Sequence, residues 1–189
     1  MIVETVVTTL DEDGEVNFAA MGVVWDEERL VIRPYVDSRT FRNLARAREA
    51  VVNVTDDVLV FAKSALSRER FPSRPAATVR GVILADACHW REVTVEHVSA
   101  PEARSSGGRA DVVTRVVAAA AGRPFVGLCR AKHAVVEASI LASRARRLSR
   151  DEVLRELDRL APLVDKTGGP AEREAMAYIR AHVARLIGA

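Results

Sequence analysis

The opening of the chain restricts its fold more than any other stretch. Ile2, Val3, Thr5, Val6, Val7, Thr8 and Thr9 crowd β-branched side chains into residues 2–10, with Glu4 interrupting, and Asp11-Glu12-Asp13-Gly14 follows at once. Branching at Cβ disfavours a helix and suits a pleated surface, whereas Asp and Gly suit a turn. A strand, a tight turn and an antiparallel partner over 15–25 are therefore expected. The polar Asp26-Glu27-Glu28 leads to a third strand over 29–36. Three strands in succession form a meander, the usual start of an antiparallel barrel or sandwich.

Asp37 and Ser38 both suit the cap of a helix over 40–49, in which Phe41, Leu44, Ala45 and Ala47 share a face and Arg42, Arg46 and Arg48 take the polar side. Residues 50–54 return to strand chemistry. The apolar run 58–62 has no period that separates strand from helix, and the basic, proline-ended 63–74 is expected at the surface. Residues 77–100 are expected to form a long antiparallel hairpin turning near Asp86, and 103–108 (ARSSGG) a flexible loop. Residues 111–121 read as strand by their valines or helix by their alanines.

In the last third the period changes. Ala134, Val135, Ala138, Leu141 and Ala142 recur at helical spacing within 132–148, and Ser149 with Glu152 makes an S-x-x-E capping box for a helix over 151–160. Gly168-Gly169-Pro170 breaks the chain before a final helix whose Met176, Ile179, Val183 and Leu186 form one apolar stripe, read as core or subunit contact. The fold class is α+β, mainly β with α: a β-rich domain over 1–128 and a helical region packed on it over 129–189.

Composition removes several functions. At 189 residues, 49% hydrophobic and 29% charged, the chain can fold on its own core without disulfide or metal. No apolar run approaches the roughly 20 residues of a membrane span, and the start shows no signal-peptide pattern, so no membrane partner and a cytoplasmic location are expected. A net charge of +2 argues against nucleic acid, although the positive charge is almost all arginine, which suits anions. Cys88 and Cys129 lack CxxC spacing and the four histidines are scattered, so the thiols are expected reduced and buried and no metal site is expected. His133 and Glu137, at i and i+4, read as a surface ion pair. No GxSxG, P-loop or GxGxxG occurs.

The chemistry gathers in 17–43. Asn17-Phe18-Ala19-Ala20-Met21-Gly22 sets small residues into a strand, which marks either close approach of a ligand or a bulge. Ser38-Arg39-Thr40 with Asn43 joins hydroxyls, a guanidinium and a helix N-terminus, either to hold an anion such as phosphate or simply to cap the helix. The polar end of 52–57 reads as a turn or a ligand edge. Cys129-Arg130, ahead of the late helix, brings a cation to a phosphate or another subunit, or leaves it solvated.

The segments ETVVTTLDEDGEVNFAAMGV, LVIRPYVDSRTFRNL, VVNVTDD and CRAKHAVVEASILASR, in this order, resemble the DUF447 proteins, a group similar to the flavin-reductase-like, FMN-binding split barrels. The resemblance covers most of the chain. It implies a split β-barrel of FMN-binding type with a C-terminal helical region, and a homodimer with FMN in grooves at the subunit interface. It puts the flavin ring and ribityl chain near Asn17, Ala19, Ala20, Met21 and Gly22, and the phosphate near Ser38, Arg39, Thr40 and Asn43, with Arg33 and Tyr35 lining the same groove. In the late segment Arg130 is the matching arginine, but Cys129 stands where an asparagine is common. The implied activity is that of an FMN-dependent oxidoreductase passing reducing equivalents from NAD(P)H or another donor to a small-molecule acceptor; the alternative is a non-enzymatic flavin-binding protein. Haem in the same barrel is disfavoured, because no histidine lies in the opening stretch.

Overall fold

The β-branched opening forms β1 (Ile2–Leu10), and the turn after it is built from its own side chains. The Asp11 carboxylate accepts from the N–H of Asp13 at 3.1 Å and of Glu15 at 2.8 Å, while Gly14 takes φ +80°, a left-handed value that a Cβ resists. That turn sets the register of β2 (Val16–Val24), which pairs with β1 without a bulge, Val7 opposite Ala19 and Thr9 opposite Asn17. Next, β3 (Arg29–Ile32) stops short of the expected 36, because Pro34 has no N–H to give the ladder.

The computed structural model describes residues 1–99 and 108–188, in two units: Met1–Thr55 with Arg70–Pro124, and Asp56–Glu69 with Phe125–Ala189. The loop expected over 103–108 lies, except for Gly108, outside the described residues. In the first unit, β4 (Glu49–Val54), β7 (His89–Val98) and β8 (Val112–Ala121) join the meander in a closed antiparallel barrel of order β1-β2-β3-β8-β7-β4. Its interior is filled by aliphatic side chains, among them Val7, Val23, Ile32, Val52, Val93 and Val112. The helix α1 (Arg39–Ala47) adds Leu44 to that core, and ends where Arg48 turns left-handed at φ 57° and gives its guanidinium to the carbonyls of Val95 and Glu96. Of residues 111–121, Val112–Ala121 are strand: the β3 and β7 ladders claim their backbone, and the valines fit the pleat.

The hairpin expected over 77–100 is not formed. Instead β6 (Val82–Leu84) pairs with β5 (Ser73–Pro75), and β7 spends its two edges on β4 and β8. Buried polar groups decide this arrangement. The Glu92 carboxylate, on β7, accepts from the N–H groups of Ala77, Thr78 and Val79, tying the loop before β6 to the barrel wall. Asn53 donates to the Val6 carbonyl at 3.1 Å and accepts from Leu84 N–H at 2.9 Å, and the Thr8 hydroxyl donates to the Val82 carbonyl. Where β8 ends, Gly122 N–H reaches the Cys88 carbonyl at 2.8 Å; a Cβ at Gly122 would stand 2.1 Å from the Ala87 oxygen, so only glycine allows that approach.

The second unit is helical. The ambiguous run 58–62 lies in α2 (Val58–Leu66), capped by Asp57, whose carboxylate accepts from Leu59 and Val60 N–H. A row of alanines on α3 (Arg130–Ser143), Ala131, Ala134, Ala138 and Ala142, lets neighbouring helices come close, and Val153, Leu157 and Ile179 complete the core. In α4 (Arg150–Thr167) Ser149 caps as expected, accepting from Glu152 N–H, but the helix runs beyond 160 with Pro162 inside it. In α5 (Pro170–Ile187) Met176, Ile179 and Val183 are buried core. Asp56, itself buried, holds Lys132 at 2.8 Å. Cys88 and Cys129 are not joined in a disulfide; Cys88 is buried, whereas Cys129 is only half-buried. No described helix is long and apolar enough to cross a membrane.

Burial alone would raise the pKa of Glu92, but the backbone N–H donors of Thr78, Ala77 and Val79 outweigh it and hold the carboxyl below its ordinary value. A folded-state pKa below the unfolded one adds stability that is full above the ordinary carboxylate range and fades as the pH falls through it. Glu92→Gln is therefore expected to lose about 2 kcal/mol at neutral pH, the scale of hydrogen bonds to a charged group. Urea unfolding should show the gap closing below about pH 4. A gap that stays constant with pH would refute the ionised, hydrogen-bonded carboxylate.

Candidate functional site

The N-terminus of α1 collects most of the residues singled out in the sequence. Ser38 is its cap: the hydroxyl accepts from Phe41 N–H at 3.1 Å and donates to the Tyr35 carbonyl at 2.6 Å, and Arg42 N–H reaches the Ser38 carbonyl at 3.3 Å. The N–H groups of Arg39 and Thr40, in the first turn, have no intrahelical acceptor and find none among the described residues. Capping thus uses one part of the helix end and leaves another free.

Beneath that end lies a connected polar cluster. Asn17 donates through Nδ2 to Thr40 Oγ1 at 3.0 Å and to Thr9 Oγ1 at 3.4 Å, and Asn43 donates to the same Thr9 oxygen at 3.0 Å. Thr40 and Asn43 are each only 3% exposed, so these bonds are protected from water and fix α1 on β1 and β2. Arg39 pairs with Asp11. Its hydrogen bond holds the Asp11 carboxyl below the ordinary range, against a smaller opposing effect of desolvation.

The small residues lie along β2. Since pairing with β1 is regular throughout, no bulge explains them. Met21 packs against the barrel core and its carbonyl accepts from Thr5 Oγ1 at 2.9 Å; Ala20 and Gly22, alternating with it, turn to the other face. A Cβ on Gly22 would meet Ile2 Cγ2 at 2.7 Å and Glu4 Oε1 at 3.2 Å, so this glycine admits side chains of its own neighbour strand. Ala19, Ala20, Met21 and Gly22 all remain half-buried.

Arg33 and Tyr35 are drawn elsewhere. Arg33 forks onto Asp111 at 2.9 and 3.3 Å, and the Tyr35 ring stacks under the Arg109 guanidinium at 4.6 Å, its hydroxyl accepting from Arg109 at 3.3 Å. Only the Tyr35 carbonyl takes part in the cap. Arg130 opens α3 in the helical unit, whereas the other singled-out residues belong to the barrel unit. Two members of the cluster escaped sequence reading. Thr9 was visible only as a strand residue, yet the Asp-Gly turn sets it opposite Asn17; Asp11 was read as turn chemistry and also serves as the partner of Arg39.

The model "Protein of unknown function (DUF447) N-terminal domain" matches residues 3–117, and "Protein of unknown function (DUF447)" matches residues 129–181. Among solved structures, the FMN-bound DUF447 protein MM1853 from Methanosarcina mazei is 24% identical, with 96% of this chain and 94% of that one covered at a TM-score of 0.77. Nitrilotriacetate monooxygenase component B from Bacillus cereus is similar at 17% identity and TM-score 0.55, over 64% of this chain and 69% of its own. The NADH:FAD oxidoreductase SgcE6 of Streptomyces globisporus C-1027 is similar at 13% identity and TM-score 0.52, over 66% and 86%. The split barrel with added helices is thus the fold of this chain, shared with flavin-reductase-like proteins. With both models matched and nearly its whole length aligned to a solved member, the chain belongs to the DUF447 family.

Proposed function

We propose that this protein binds FMN beside the N-terminus of α1 and acts as a flavin-dependent oxidoreductase, taking reducing equivalents from NAD(P)H or another donor and passing them to a small-molecule acceptor. The observation that carries this reading is the match of 96% of the chain to a protein of the same family that is FMN-bound. The local chemistry supports it. The N–H groups of Arg39 and Thr40 and the Arg39 guanidinium supply what a dianionic phosphate needs, with the Ser38 hydroxyl fixing the turn and Asn17 and Asn43 holding the helix end in place. The half-buried strip Ala19–Gly22 offers backbone and small side chains to a flat ring; Arg33 and Tyr35, assigned to the same groove by the family resemblance, would have to leave Asp111 and Arg109 to join it. Arg130 is not needed for this reading. FMN carries the redox chemistry when bound, so the protein's task is to bind, orient and shield it.

The proposal includes a homodimer. Phe125, Val126 and Leu128, between β8 and α3, are 56%, 84% and 86% exposed, an apolar display that a second copy of the chain would cover. Sedimentation at micromolar concentration is expected to give a dimer, and Val126→Asp with Leu128→Asp to shift it to monomer. A wild-type monomer would remove this part of the reading.

Purified protein is expected to be yellow or to take up FMN on titration, and NADPH or NADH to bleach the flavin band. No uptake of FMN sinks the reading; bound FMN that neither nucleotide reduces and that turns over no acceptor favours a non-enzymatic flavin-binding protein. Arg39→Ala is expected to weaken FMN binding by about 1.5 to 3 kcal/mol, roughly tenfold to a hundredfold in Kd. Because Asp11 competes for the same guanidinium, Asp11→Asn is expected to tighten binding while keeping the turn's acceptor. Unchanged affinity in Arg39→Ala would take Arg39 out of the site.

A further inference from the structure

Arginines on the barrel are paired almost as a rule: Arg29 and Arg115 with Glu96, Arg33 with Asp111, Arg80 with Glu49. Arg91 departs from it. Its residue stands opposite Val52 on β4, a barrel-core position, so its side chain is on the inner face. There its Nε is buried and has no acceptor among the described residues, a state that costs free energy and that an apolar residue would avoid. The Trp25 ring backs the guanidinium at 5.5 Å, and His89, two residues along on the same face, meets Trp25 edge-on at 5.5 Å.

Beside these groups is an open pocket of about 350 Å³ lined by His89, Trp90, Arg91, Ala119, Ala120 and Ala121. Cross-strand register explains the room: Ala119 is opposite Arg91 and Ala121 opposite His89, where larger side chains would fill the space. Among the described residues no carboxylate lines it. Burial and then the charge of Arg91 hold the His89 pKa below its ordinary value, so His89 is neutral at neutral pH and brings a donor and an acceptor but no second positive charge. One cation, beside an open space of small-molecule size with alanine methyls on the same face, calls for one planar negative group on an apolar body.

We propose that this pocket binds a small planar monocarboxylate, its carboxylate forked onto Arg91 and its apolar body against Ala119 and Ala121. The site is separate from the one beside α1. Trp25 lies three residues beyond Gly22, the near end of the strip proposed for the flavin ring, about 10 Å at the usual rise of a strand, so the titration is made on protein freed of FMN.

Benzoate is the probe, titrated into the full chain with tryptophan fluorescence and calorimetry as readouts. Saturable binding at one site is expected, with benzamide and acetate each far weaker. Arg91→Met should weaken benzoate by roughly tenfold to a hundredfold, and Ala119→Leu should block it while leaving Arg91 in place. Ala119 is exposed, so that variant is expected to keep the wild-type melting temperature and decides the matter if Arg91→Met fails to fold. No saturation below about 10 mM, equal binding of benzamide, or benzoate affinity unmoved by Ala119→Leu would overturn the proposal.

Discussion

Asp11 takes two backbone N–H groups and Gly14 turns left-handed, and between them they fix how β2 returns along β1. In a strand pair a slip of one residue sends every side chain to the opposite face. Here the register sets Thr9 opposite Asn17, where Asn17 donates to Thr40 and Thr9 accepts from Asn43 of α1, and sends Met21 and Val23 into the barrel. With a slipped hairpin, Asn17 would face away from α1 and the polar cluster would lose its bridging donor. The position of the helix end thus follows from a turn of four residues.

A barrel wall normally has one buried face, but β1, β4 and β7 are buried on both over part of their length. Thr8, Asn53 and Glu92 point outward and are nevertheless almost fully covered, by β6 and the loop before it. Leaving such groups unpaired would be costly, and each is satisfied by backbone of the covering layer. An apolar outer face would hold the same layer without fixing its register. Directional bonds from Asn53 to Leu84 and from Glu92 to three successive N–H groups admit only one placement, which makes these polar residues the seam between two layers.

What the sequence made legible was local. The meander followed from β-branching and turn residues, α1 from its spacing, and the late helices from their period, all of which act within a few residues. The hairpin over 77–100 failed because the partners of β7 are chosen by distant strands and by Glu92, which no period records. The helix at 58–66 carried a readable signal in Asp57, two and three residues before the N–H groups it caps, but an apolar run without a period hid it. In the site, Asn17, Ser38, Thr40 and Asn43 were legible as polar residues at special positions. Thr9 was not, since its role depends on pairing across the turn, nor was the pairing of Arg33 with Asp111, which lies in a distant part of the chain.

The capping and ligand readings of Ser38–Thr40 are not alternatives. A helix N-terminus has four N–H groups without intrahelical partners, and one side-chain cap satisfies one of them. Ser38 spends its hydroxyl on Phe41 and on the Tyr35 carbonyl, which rigidifies the turn and leaves the earlier N–H groups outward. Arg39, meanwhile, is held by Asp11 near that end, a pair partly open to water and therefore weakly held. An anion reaching the helix end meets donors already oriented and a guanidinium whose present partner can be exchanged at little cost. In the proposed anion site, the cap is what preorganises the donors.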